Sequence, residues 1–86
     1  MATYQRTETV DAREFTGGVD TGMSIVLWIN SHNGIAMYDA ERDIILLSLW
    51  GEIFNVHVTD MVVLRQDGQF ENIRREDFKL LGYKQV

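Results

Sequence analysis

Apolar and polar residues alternate along this chain with two different periods. Val10 and Ala12 alternate with Asp11 and Arg13, and Phe15 closes the run ahead of Gly17-Gly18. That is the period of a half-buried strand. After the glycines, Met23, Val26, Leu27 and Ile29 fall at helical spacing, with Asp20 or Thr21 as N-cap. Asn33-Gly34 ends this helix of about ten residues, glycine taking the left-handed conformation there. From Ile35 to Ile73, β-branched and aromatic residues cluster between polar breaks, which predicts short strands. Ile35 to Tyr38 and Ile44 to Leu49 flank the charged loop 39–43 as a hairpin, and Gly51 turns the chain into Ile53 to Val58. There Phe54, Val56 and Val58 face a core, while Asn55 and His57 face water. Met61 to Leu64 and Phe70 to Ile73 flank Asp67-Gly68, the strongest hairpin signal in the chain. In the tail, Phe78, Leu81 and Tyr83 share one side of a short helical turn.

The fold class that follows is α+β. A small, mostly antiparallel meander of five to six strands carries one main helix and a short C-terminal helical segment. One domain spans residues 1–86, since a chain of this length supports one core. The run Ile44 to Leu49 is apolar on consecutive positions, so both of its faces call for burial. Ile44, Leu46 and Ser48 point one way and Ile45, Leu47 and Leu49 the other, so if the helix covers one set the second needs another layer. The tail around Phe78 and Leu81 is one source of it. A second copy of the chain is the more economical source, which predicts a homodimer.

Composition narrows the classes. With 45% of residues apolar and 24% charged, the chain lies in the range of folded domains rather than disordered ones. It has neither cysteine nor proline, so neither a disulfide nor a cysteine-based zinc site can staple the core. The net charge is −5 and uneven. Residues 1–60 hold nine acids against Arg6, Arg13 and Arg42, whereas residues 61–86 hold four acids against five bases. An acidic body repels DNA phosphates, so no nucleic-acid partner is expected. No apolar run approaches the roughly 20 residues of a membrane span, and Met1 to Thr9 has no apolar core of a signal peptide. The expected location is the cytoplasm, without a membrane partner.

Candidate chemistry is sparse. His32 and His57 are the only side chains that normally titrate near neutrality, but His32 sits in a helix-ending loop and His57 on the polar face of a strand. His57 with Asp60 and Glu52 is the nearest local set of metal-ligand types, at spacings that match no ligand signature. No serine lies in a nucleophile-elbow sequence, and Gly17-Gly18 opens no phosphate-binding loop. The expectation is therefore no catalytic residue, no metal and no cofactor, hence no enzyme. Indole rings offer the largest contact energies. Trp28 reads as core within the helix. Trp50, at a strand end beside Gly51, is a candidate binding residue. Arg74 and Arg75 are the other candidates, able to meet an acidic partner or a phosphate.

Several segments share an order with known sequences. Val10-Asp11-Ala12-Arg13-Glu14-Phe15-Thr16-Gly17, Trp28-Ile29, Thr59-Asp60-Met61-Val62-Val63, Gly68-Gln69-Phe70 and residues 78–83 occur in turn. The series resembles a family of small uncharacterised proteins encoded by tailed bacteriophages and prophages, with the pattern V-x-A-x-Q-F-x-G, W-I, G-D-W-I-I, G-E-F and F-x-x-x-Y. The chain departs from it with Glu14 in place of Gln and with Thr59-Asp60-Met61 in place of Gly-Asp-Trp. The resemblance implies phage origin and a small α+β fold, and it carries no mechanism. Together with the missing catalytic sets, it leads to the expectation of a non-enzymatic module that binds and occupies a host or defence protein. The alternatives are an oligomeric sponge for a signalling nucleotide, with Trp50 on the base and Arg74 or Arg75 on phosphate, and a minor virion or assembly component.

Overall fold

The computed structural model describes residues 10–82. In chain order it contains β1 (Asp11–Glu14), α1 (Val19–Ser31), β2 (Ile35–Asp39), β3 (Ile44–Leu49), β4 (Glu52–Val56), β5 (Met61–Leu64), β6 (Phe70–Ile73) and α2 (Arg75–Leu80). The expected α+β class stands, with six antiparallel strands, one main helix and a short C-terminal helix. The strands divide into two three-stranded sheets, in the orders β1-β5-β6 and β2-β3-β4. The first strand thus lies at the edge of its sheet, paired with a strand about fifty residues further along the chain, Asp11 opposite Leu64 and Glu14 opposite Met61.

One face of each sheet meets α1. Ile45, Leu47 and Val56 from one sheet, Val62 and Phe70 from the other, and Ile25, Val26, Trp28 and Ile29 from the helix form one core with Phe15 and Ala36. Trp28 packs edge-on against Phe70, ring centroids 5.4 Å apart, and the Arg13 guanidinium lies 4.6 Å from the Trp28 ring centroid. Trp28 is core, as its place in the helical run implies.

The helix differs from the sequence reading in its limits and in its buried side. Its N-cap is Gly18, at φ 89, and neither Asp20 nor Thr21 caps it. The cap comes from another part of the chain. Asp43, in the β2–β3 loop, accepts the Gly18 N–H at 3.0 Å and places a carboxylate at the positive end of the helix dipole. The same Oδ1 accepts the Tyr38 hydroxyl at 2.6 Å, and this bond pushes the Tyr38 pKa up to about 12. At the other end Asn33, at φ 66, is the left-handed residue, and the Gly34 N–H returns to the Ile29 carbonyl at 2.9 Å. Gly34 is needed for space instead: a Cβ there would stand 2.5 Å from Ile29 Cγ2 and 2.9 Å from Phe70 Cε2.

The buried face of α1 is Gly22, Ile25, Val26, Trp28 and Ile29, while Met23 and Leu27 are exposed, Leu27 by 63%. The helix is apolar around much of its circumference, so spacing alone does not select a side. Gly22 selects it, because only a residue without Cβ lets the helix approach the Tyr38 ring, which a Cβ would meet at 2.5 Å. In β4 the core-facing residue is Val56, with Phe54 half-buried and Val58 exposed beyond the strand end. The β5–β6 loop uses Gly68, at φ 85, after a turn closed by the Gly68 N–H on the Arg65 carbonyl. In α2 Phe78 is half-buried, Leu81 is exposed, and Tyr83 lies outside the described residues. No described helix is long and apolar enough to cross a membrane.

Candidate functional site

Leu49 pairs with Glu52, so only Trp50 and Gly51 remain to reverse the chain between β3 and β4. A two-residue hairpin loop of this kind takes the twist of its strands when both residues adopt positive φ. Here Trp50 stands at φ 52 and Gly51 at φ 79. Glycine adopts that region freely, whereas a residue with a Cβ gives up about 1 kcal/mol or more. Burial does not offset this cost for Trp50, which is 74% exposed. A bulky aromatic in a strained backbone conformation, held out into water, is the least self-serving residue of the described fold, and strain of this kind concentrates at binding sites.

Trp50 forms one wall of a cleft where three turns meet: Asn33-Gly34 after α1, Trp50-Gly51, and Gly68-Gln69 ahead of β6. The cavity measures about 400 Å³, with Ile35, Leu49 and Phe70 as its apolar lining. Its polar groups are the side chains of Asn33, Ser48 and Gln69 and the backbone of the glycines, and no residue lining it is ionisable. Such a lining suits an apolar or amide-bearing group and provides no general acid or base.

Arg74 and Arg75 lie elsewhere. Phe70 borders the cleft and Arg74 follows four residues along β6, roughly 13 Å away at the rise of an extended strand. Arg74 occupies the N-cap position of α2 and is exposed. Arg75 reaches Glu14 of β1 at 3.4 Å, tying α2 to the first sheet. The three sequence-chosen residues therefore do not form one site within a single chain.

Both histidines have local structural partners. His32 Nδ1 lies 2.9 Å from the Trp28 carbonyl oxygen and 3.1 Å from Ser31 Oγ. His57 and Asp60 close a turn, the His57 N–H donating to Asp60 Oδ2 at 3.0 Å. Glu52, at the opposite end of β4, is about 16 Å of extended chain away from His57. Among the described residues no three His, Asp or Glu side chains converge as a metal-holding group. Asp39 is held below the usual carboxylate range by its bond to Arg42 Nε at 2.8 Å, a contact that shapes the β2–β3 loop. A second, open groove of about 470 Å³ runs between β1 and α1 past Arg13, Glu14, Asp20 and Ser24. Two of its charges are already engaged, Arg13 with Asp11 at 3.5 Å and Glu14 with Arg75.

Compared with family models, curated proteins and solved structures, the chain matches none.

Proposed function

We propose that the protein is a non-enzymatic binding module whose contact element is the β3–β4 hairpin tip, with Trp50 inserting into a protein partner and the adjoining cleft receiving an apolar or amide-bearing side chain. The observation that carries this reading is the combination at Trp50 of a positive φ and 74% exposure. Neither folding nor solubility rewards that arrangement, while a partner gains a rigid aromatic anchor of the type that dominates interfaces. The sequence resemblance extends the reading to a phage-encoded module that occupies a host or defence protein. Nucleotide sequestration is less well supported, because the Trp50 cleft holds no cation to meet a phosphate.

A photo-crosslinking residue in place of the exposed Glu52, beside the turn and with Trp50 retained, tests it. In host lysate one discrete heterologous adduct is expected, displaced by excess unlabelled protein and not by excess Trp50→Ala. Adducts that are absent, or that Trp50→Ala displaces equally well, would overturn the proposal.

A further inference from the structure

The β2–β3–β4 sheet has a second face, turned away from α1. Register places Ile35, Ser48 and Ile53 in one row across it and Met37, Leu46 and Asn55 in the next. Ile35, Met37 and Ile53 are exposed by 67%, 66% and 63%, and Leu46 is partly exposed between them. One row further, Ile44 is already buried, which ends the patch on that side.

We infer that this face packs against the same face of a second copy, making a two-fold dimer. A two-fold contact sets a patch against itself, so any charge on it meets a like charge. These two rows carry no charged residue, in a chain whose net charge of −5 would otherwise repel its copy. The alternative route to self-association, strand pairing along the β2 edge, is obstructed at Ala36. Both backbone polar groups of Ala36 are engaged by the Asn30 side chain. Face packing remains open. The exposed parts of the six side chains amount to roughly 500 Å² per copy, or about 1,000 Å² for the pair, which reaches the lower limit for a specific interface. By contrast the apolar stripe on the outer side of α1, formed by Val19, Met23 and Leu27, is one residue wide.

The dimer face shares Ile35 and Ser48 with the lining of the cleft beside Trp50, but its readout is molecular mass rather than heterologous capture, so failure of either reading is seen separately. Sedimentation equilibrium of the full chain from about 1 to 200 µM is expected to show a mass rising toward twice 9.9 kDa. Met37→Glu is expected to remain monomeric across that range with unchanged far-UV circular dichroism. Leu27→Glu, on the far side of the helix, should dimerise like the parent. If Met37→Glu perturbs the fold, Ile53→Lys tests the same face. A parent chain monomeric at the highest concentration would overturn the inference. So would folded Met37→Glu or Ile53→Lys protein that still dimerises, or loss of the dimer in Leu27→Glu alone.

Discussion

The carboxamide of Asn30 stands against the backbone of Ala36 as a neighbouring strand would, its Oδ1 accepting the Ala36 N–H at 3.1 Å and its Nδ2 facing the Ala36 carbonyl oxygen at 3.5 Å. An edge strand otherwise presents both groups to any extended chain. Asn30→Ala is expected to cost about 1 kcal/mol for the lost bonds and to raise light scattering on heating, as the edge opens. Unchanged melting and scattering would show that the contact protects nothing.

Gly22 reverses an ordinary helix rule. In an exposed helix interior, Gly→Ala gains close to 1 kcal/mol. Here the added methyl meets the Tyr38 ring, so Gly22→Ala should instead destabilise the protein by about 1 to 3 kcal/mol. Urea unfolding gives the sign directly.

The side of α1 that faces the core is open to a paired test. Ile29 is fully buried and Leu27 is 63% exposed. Ile29→Ala should cost about 2 to 5 kcal/mol, the range for emptying a core site. Leu27→Ala should melt within a degree or two of the parent.

Two positive-φ positions carry residues that do not favour them, Trp50 at φ 52 and the β-branched Thr59 at φ 81. Trp50→Asn places the preferred Asn-Gly pair in the hairpin. It is expected to gain about 1 kcal/mol of stability while abolishing crosslink competition, so that stability and binding move in opposite directions. Thr59→Gly should likewise stabilise, by about 1 to 2 kcal/mol. Thermal unfolding measures both, and a loss of stability in either would contradict the strain argument.

Tyr38 donates to Asp43, and this bond favours the protonated phenol in the folded state, raising its pKa from 10.0 to about 12. Its contribution to stability is therefore complete below pH 10 and is lost as pH rises through about 12. In ultraviolet titration, the Tyr38 phenol should ionise only near pH 12. Asp43→Asn keeps a residue that tolerates positive φ and should move that late step back toward the ordinary range. A parent titration with no step that Asp43→Asn moves would show that the bond does not form.

What was legible in the sequence was local. Val10 to Phe15 announces a strand through alternation, and Ile44 to Leu49, Met61 to Leu64 and Phe70 to Ile73 through their apolar, β-branched and aromatic content. Gly51 and Gly68 mark reversals because those turns need positive φ. Trp50 could be singled out for the same reason, as a large ring beside a turn glycine. Asp43 and Asn30 gave no such signal, since a loop carboxylate and a helix amide look like ordinary solvated residues until the chain places Gly18 and Ala36 beside them.

The sequence by itself determined the kinds and order of the elements, because turn chemistry and the two- and 3.6-residue periods act over a few neighbouring positions. Tertiary structure decided which strands share a sheet, which side of α1 is buried and which face of β3 stays open. Those choices depend on contacts between distant residues, such as Gly22 under the Tyr38 ring and Asp11 opposite Leu64. A helix apolar on most sides and a strand apolar on both faces satisfy the local rules in more than one orientation, and steric fit across the core selects among them.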